Sequence, residues 1–185
     1  FDLPRSTSSQ FGDVEYFSEN LPLLGIGGFG QGNTQMVPLH MAMVAASIAH
    51  GGVMMKPYVI GTIYDHDGGV LQRTVPTVWK TPMTPQTSSL LTELMVGVVN
   101  EGTAQCCMKL ANGIQAAAKT GTAQLNTAGE PERSHAWIIA FAPAAAPKYV
   151  IVVMLKGTNA EISEGTGGSL AGPVAKKVLD IALNQ

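Results

Sequence analysis

The sequence predicts an α+β fold in which helices pack on an antiparallel sheet. Three observations point there. Helical apolar spacing occupies residues 38–50 and the stretch from Thr84-Pro85 to Asn100, three strand-like runs follow one another between 115 and 155, and a last helical pattern closes the chain at 169–184. The connections between those strands are short, and short connections join antiparallel neighbours, because a parallel pair needs a crossover of roughly a dozen residues.

Composition sets the outer bounds. At 185 residues the chain is long enough for one domain with a real core, 45% of it is hydrophobic, and only 13% is charged. That charged share is about half the usual one and argues against disorder. A formal net charge of −2 leaves no basic footprint, so nucleic-acid binding has no support. The apolar runs Met41–Ala49 and Val150–Leu155 are too short to span a bilayer. Phe1-Asp2-Leu3-Pro4 reads as the interior of a longer protein rather than a leader. Cys106 and Cys107 are adjacent, a spacing that meets disulfide geometry only under strain, and they read as free thiols.

Taken in order, residues 1–37 read as an irregular approach, with Pro4, the Ser/Thr cluster Ser6–Ser9, Pro22 and a glycine-rich run arguing against regular elements. Gly25-Ile26-Gly27-Gly28-Phe29-Gly30 fits G-x-G-x-x-G, but a poor strand precedes it, no helix follows directly, and the next acid is Asp65; dinucleotide binding is not expected. The segment 38–113 is the helical and hairpin part. Pro38 suits a first helical position and Gly51-Gly52 a stop, and a helix apolar nearly all round belongs inside. His50 sits at its C-terminal end, where capping is expected rather than ligation. Val53–Ile63 reads as extended, broken at Lys56-Pro57; Asp65–Gly69 is a turn and Val70–Val75 the return strand of a hairpin. Asp65, His66 and Asp67 read as a solvated turn, since the further spaced carboxylates of a metal loop are missing.

Thr84-Pro85 starts the second helix as N-cap and first-turn proline. Leu90, Leu91, Leu94, Met95, Val98 and Val99 form its expected buried stripe, and Met95 and Met108 fill the core. From 114 to 185 the pattern is strands and a closing helix. Gln115–Gln124 is the first strand, Asn126–Ser134 a polar connection, His135–Ala142 the second strand, and Tyr149–Leu155 a third, apolar enough to be buried on both faces. Gly165–Gly168 reads as loose. The helix after it is expected to turn Val174, Val178, Ile181 and Ala182 inward and Lys176, Lys177 and Asp180 outward.

The stretch Ala117-Ala118-Lys119-Thr120-Gly121-Thr122-Ala123-Gln124 stands out for chemistry. On a strand, Lys119 and Gly121 face one way and Thr120 and Thr122 the other, while Gly121 lets a ligand or a second backbone come close. A lysine beside an open strand edge can hold an extended, anionic substrate by strand addition. The same tripeptide also fits an ordinary surface strand or turn.

In their order along the chain, several segments resemble the transpeptidase domain of penicillin-binding proteins. They are Gly30-Gln31-Gly32, Val37-Pro38-Leu39-His40-Met41-Ala42, Ile48-Ala49-His50-Gly51-Gly52, Lys56-Pro57, Glu101-Gly102-Thr103-Ala104, Ala118–Gln124 and His135-Ala136-Trp137 through Phe141-Ala142-Pro143. The resemblance covers about residues 25–183, and among subgroups it is greatest to the class B enzymes of Gram-positive bacteria, including the mycobacterial penicillin-binding protein A type.

The resemblance implies an α/β/α sandwich, in which residues 1–185 are the C-terminal portion of one serine β-lactamase/D,D-peptidase-like domain. It implies peptidoglycan cross-linking by serine acyl transfer, with motifs S-x-x-K, S-x-N and K-T-G. Lys119, Thr120 and Gly121 are the third motif, Lys119 keeping the site electropositive and assisting proton movement. The hydroxyls of Thr120 and Thr122 would hold the carboxylate of the donor D-Ala-D-Ala or of a β-lactam, and the Thr122 N–H would form half of an oxyanion hole. Gln124 would touch the donor peptide, while Trp137 reads as core packing.

No S-x-x-K occurs in the sequence; Ser18-Glu19-Asn20 fits S-x-N but precedes the resembling region and reads as a loop. The nucleophile and a membrane anchor are therefore expected upstream in a longer protein, at the extracytoplasmic face of the plasma membrane. Expected partners are that N-terminal part, stem peptides, β-lactams, and division or elongation proteins. No cofactor or metal is implied, because this acyl transfer uses protein groups alone. A β-lactam-sensing receptor domain, a serine hydrolase (β-lactamase or D,D-carboxypeptidase) and a wall-associated binding module are the alternatives; the G-Q-G and P-L-x-M-A segments favour the synthase.

Overall fold

The computed structural model describes residues 7–125 and 133–184. Its first elements correct the expectation of an irregular approach. Helix α1 spans Val14–Glu19, capped by the Asp13 side chain, which accepts from the Tyr16 N–H at 2.8 Å. Helix α2, Leu21–Gly28, follows with Pro22 in its first turn. A cap and a proline that presets φ outweigh the cost of the glycines, and rings of Phe11 and Tyr16 against Phe17 at 5.0 and 5.1 Å brace the pair. Gly25, Gly27 and Gly28 thus lie inside a helix and do not form a phosphate-cradling turn before one. Pro4 and Ser6 lie outside the described residues.

Helix α3, Pro38–Ala49, begins at its proline and buries Met43, Ala45, Ser47 and Ile48. His50 is its C-cap, bonding through the backbone N–H to the Ala46 carbonyl. The chain then turns through Gly52 at φ +92°, where a Cβ would meet the Met83 carbonyl oxygen at 2.3 Å, so only glycine fits.

A small arm follows. Strand β1 (Met54–Met55), β2 (Thr62–Tyr64), β3 (Val70–Arg73) and β4 (Val78–Lys80) form two antiparallel pairs, β2 with β3 as the expected hairpin and β1 with β4. Only the ends of the extended 53–63 stretch are strand, and β4 was not anticipated: three residues between Pro76 and Pro82 are too short to show a period. Asp65 closes the hairpin turn, its carboxylate accepting from the N–H groups of Asp67 and Gly69.

Helix α4, Pro85–Asn100, starts where expected, with Thr84 Oγ1 accepting from the Thr87 N–H. Its buried face is narrower than the expected stripe. Met95 and Val99 are buried and Leu91 and Val98 half-buried, but Leu90 and Leu94 are exposed. They form a separate i,i+4 row, turned by roughly 100° from Leu91 and Met95. Ser88 on the buried side donates to the Ile48 carbonyl at 2.6 Å and ties α4 to the end of α3.

The expected three-stranded antiparallel sheet is present: β5 (Ala117–Gln124), β6 (Ser134–Ala142) and β7 (Tyr149–Leu155), in that order. Ala117 pairs with Phe141 and Gln124 with Ser134, while Ala136 pairs with Leu155. Of the polar connection expected at 126–134, residues 126–132 lie outside the described residues and Ser134 already belongs to β6. One face of the sheet, including Ala118, Ile138 and Ala140, packs with Met108, Val99, Ala175 and Leu179. The other, including Ala117 and Phe141, packs with Ile48 and Met95 from α3 and α4. Contrary to expectation β7 is half-buried, with Tyr149 exposed, because it has a strand neighbour on one side only among the described residues.

After β7 comes α5, Ala160–Glu164, an element with no sequence-based expectation, capped by Asn159. The Gly165–Gly168 segment is not loose. Thr166 and Ser169 form a capping box that starts a π-type turn, Gly167–Ala171, leading into α6, Gly172–Leu183. The inward face of α6 also differs. Ala175 and Leu179 are buried, whereas Val174, Val178 and Ile181 are exposed. Small alanines let the helix axis approach the sheet, and counting only bulky apolar residues picks the wrong row. Lys177 is exposed as expected, but Lys176 and Asp180 are half-buried and ion-paired to each other. Asp180 also accepts from the Ala111 N–H at 2.8 Å. Burial opposes its charged form, yet the bonds from Lys176 and Ala111 outweigh it and hold the carboxyl below the usual range.

Both cysteines are free thiols. Burial, then the neighbouring Cys106, pushes the Cys107 thiol up to about 12, so it is an inert core group.

Candidate functional site

Strand β5 enters the protein apolar and leaves it polar. Ala116, Ala117 and Ala118 are fully buried, which anchors the strand, and Lys119 is the first exposed residue after them. Pairing fixes where each side chain goes. Lys119 lies opposite Ile139 and Gly121 opposite Trp137, on the face that Ala117 and Phe141 share with α3 and α4. Thr120 lies opposite Ile138 and Thr122 opposite Ala136, on the face that Ala118 and Ala140 share with α6. The alternation expected from the sequence is the one observed.

The backbone is as informative as the side chains. The Thr122 carbonyl accepts from the Gln31 side chain at 3.1 Å and the Thr120 carbonyl from Lys119 Nζ at 2.7 Å. In an antiparallel strand a residue's N–H and C=O point to the same side. The N–H groups of Thr120 and Thr122 therefore point out of the sheet edge beside those carbonyls. Among the described residues β5 is the edge of its sheet, and the outward carbonyls of Thr120 and Thr122 already have side-chain donors. What the edge presents to a ligand is one ammonium, outward N–H groups and two threonine hydroxyls. All of these favour anionic or carbonyl oxygens.

The Thr120 hydroxyl is 2.6 Å from the hydroxyl of Thr103, which stands in the turn after α4. The close backbone approach expected at Gly121 is real, but the glycines that permit it are Gly167 and Gly168. A Cβ on Gly167 would lie 2.0 Å from the Trp137 carbonyl oxygen and 2.6 Å from that of Gly121. A Cβ on Gly168 would lie 2.4 Å from the Thr103 carbonyl oxygen. At Gly121 itself an added Cβ would meet Trp137 Cβ at 3.4 Å, an ordinary contact, which leaves open space on that side. Trp137 is half-buried, and Gln124 is exposed at the far end of β5.

At the same end His135 Nδ1 accepts from the Gly157 N–H at 3.0 Å, which places the ring proton on Nε2. Burial, then the charges of Lys156 and Arg133, push the His135 pKa below the ordinary histidine value. Ser134 Oγ donates to the Ser163 carbonyl at 2.8 Å. These two bonds pin the start of β6 to the segment that leads to the Gly167 turn.

Lys119, Thr120, Gly121, Thr122 and Gln124 are thus placed together on one exposed edge. Ser18 and Asn20 make local bonds, to the Glu15 and Tyr16 carbonyls at the end of α1. Gln31 and Thr103 reach the edge from 91 and 17 residues away in sequence, and sequence reasoning gave neither a role. Their segments, G-Q-G and E-G-T-A, mark order along the chain, but no local pattern in them points to the β5 edge. Among the described residues, no three His, Cys, Asp or Glu side chains gather as a metal-ligand set.

Residues 7–180 match the family model described as the penicillin binding protein transpeptidase domain. The peptidoglycan D,D-transpeptidase PbpA of Mycobacterium tuberculosis is 40% identical over 160 residues, covering 86% of this chain and 32% of that protein. The PbpA of Mycolicibacterium smegmatis is 36% identical over 88% of this chain and 32% of its own length. The peptidoglycan D,D-transpeptidase MrdA of Haemophilus influenzae is 33% identical over 85% of this chain and 25% of its own length. The crystal structure of PBPA from M. tuberculosis superposes with a TM-score of 0.84 at 35% identity, over 97% of this chain and 41% of that one. A ceftriaxone acyl-enzyme complex of the same protein superposes equally well, with a TM-score of 0.84. The chain spans about a third of the length of the curated relatives it matches.

Proposed function

Since the chain belongs to the penicillin-binding protein transpeptidase family, we propose that it supplies the K-T-G strand of a peptidoglycan D,D-transpeptidase. The observation that carries this is the β5 edge. A lysine, two threonines and outward N–H groups stand side by side there, while the neighbouring carbonyls accept from Gln31 and Lys119.

The reaction divides into two acyl transfers. A serine hydroxyl, contributed by residues of the same protein outside this chain, attacks the carbonyl carbon of the penultimate D-Ala. The peptide bond breaks, the terminal D-Ala leaves carrying the proton, and an ester remains. An amine of a second stem peptide then attacks the ester, restoring the serine and forming the cross-link. During each attack the carbonyl oxygen becomes an oxyanion, and the Thr122 N–H points to where it forms. The hydroxyls of Thr120 and Thr122 hold the terminal carboxylate. Lys119 keeps the local potential positive, which favours that carboxylate and assists proton transfer from the nucleophile. Gly121 leaves space for the donor peptide, and Gln124 contacts it further along the strand. A β-lactam presents the same carboxylate and a strained acyl bond, so it acylates the same serine.

Residues 1–185 are on this reading the C-terminal portion of one domain, acting at the extracytoplasmic face of the plasma membrane with division or elongation proteins as partners. Among the described residues no helix is long and apolar enough to cross a membrane. The test is the denaturing intact mass of the complete protein after incubation with benzylpenicillin. One adduct that persists for hours supports a transpeptidase. An adduct lost within seconds indicates a hydrolase, and no adduct contradicts the reading.

A further inference from the structure

The contact between Thr103 and Thr120 is the observation that the mechanism above leaves unused. It joins hydroxyl to hydroxyl at 2.6 Å, from the turn after α4 to the middle residue of the K-T-G motif. A threonine hydroxyl has one proton to donate and two lone pairs to accept with. If Thr120 donated to Thr103, its proton would face away from the ligand and it would turn lone pairs toward an anion. If Thr103 donates, the single proton of Thr120 is free for the ligand.

We propose that Thr103 is a positioning residue: its hydroxyl donates to Thr120 Oγ1, so that the Thr120 proton is aimed at the carboxylate of the bound acyl donor. This rests on the functional reading above. Three features hold Thr103 in place. The Ala104 N–H donates to the Val98 carbonyl at 3.1 Å, and the Ala104 side chain is fully buried. Gly102 lies so close to α4 that an added Cβ would come within 2.8 Å of Val98 Cα. On the other side Gly168 packs directly against the Thr103 carbonyl. The Thr103 backbone is thus held between α4 and the Gly167 turn, and the exposed side chain meets Thr120 on the face of β5 that Thr120 and Thr122 share. A preset hydroxyl does not have to reorient when the carboxylate arrives, which is how a fixed dipole favours a developing or bound charge.

The experiment compares Thr103→Val and Thr103→Ser in the complete protein, against benzylpenicillin and its methyl ester. Thr103→Val keeps the shape and loses the donor. The expected result is a roughly tenfold slower acylation by benzylpenicillin, near-unchanged acylation by the ester, and recovery in Thr103→Ser. An equal loss with both ligands means that Thr103 is only a structural tie and overturns the proposal, as does an unchanged rate with benzylpenicillin. Thermal unfolding of each variant separates a folding defect from these outcomes. The wild-type protein failing to acylate at all would instead overturn the functional reading on which the proposal rests.

Discussion

The three-stranded sheet and the arm at 54–80 are both built from antiparallel strands, yet they solve opposite problems. In β6 the residues Ala136, Ile138, Ala140, Phe141 and Ala142 are fully buried, covered by helices on both faces. In the arm every residue of β3 and β4 is exposed, including Leu71 at 67% and Trp79 at 51%. A two-stranded ribbon has no core of its own and rests on ladder bonds and turn chemistry, here the Asp65 turn and the Lys80 ammonium over the Trp79 ring. The K-T-G residues extend from the buried sheet. On the proposed reading this has a mechanical use, because a donor that must meet an oxyanion to within a fraction of an ångström needs a strand whose other end cannot move.

Substitutions should therefore separate the two regions sharply. The largest effect is expected at Phe141→Ala, which empties the space between Ile48, Met95 and Ala117. It should cost about 3–5 kcal/mol, read from the urea midpoint of the transpeptidase domain. Gly167→Ala comes next, because its Cβ would collide with backbone rather than with a flexible side-chain tip. About 1–3 kcal/mol is expected, together with slower acylation, since the displaced atoms belong to Gly121 and Trp137. Gln31→Ala removes one donor from an exposed carbonyl. About 1 kcal/mol or less is expected, with a several-fold slower benzylpenicillin acylation through a looser Thr122. In the arm, Leu71→Ser should shift the midpoint by no more than about 0.5 kcal/mol. A large loss there would mean that the arm is part of the cooperative core and would dissolve the contrast.

His135 adds a pH dependence on the sheet side. Its folded pKa lies below the unfolded value, so folding favours the neutral ring, which accepts from the Gly157 N–H. That contribution is fully present above about pH 6.5 and is lost as pH falls through the depressed folded value. The expected signature is a loss of stability below neutrality that disappears in His135→Asn.

The two regions also differ in how legible they were. Strands β6 and β7 announce themselves through apolar runs and β5 through its alternation, and α3 and α4 through Pro38 and Thr84-Pro85. Where burial is asymmetric, periodicity misled. Leu90, Leu94, Val174, Val178 and Ile181 are apolar yet exposed, because Ala175 and Leu179 on α6, and Met95 and Val99 on α4, already fill the space against the sheet. The helices α1 and α2 were hidden by glycines that a good cap offsets. At the site, the residues of one strand could be read in advance because alternation is local. Thr103 and Gln31 could not, since their positions beside Thr120 and Thr122 come from tertiary packing over long sequence separations.

The central claim is that the β5 edge holds the acyl donor through the Lys119 charge and the Thr122 N–H. Its most direct test is the second-order rate of benzylpenicillin acylation in the complete protein carrying Lys119→Ala. Lys119 is exposed and, among the described residues, its Nζ bonds only the neighbouring Thr120 carbonyl, so the fold should survive its loss. The expected result is a rate lower by about 100-fold or more, with an unfolding midpoint within about 0.5 kcal/mol of the wild type. An unchanged acylation rate in a folded variant would contradict the claim.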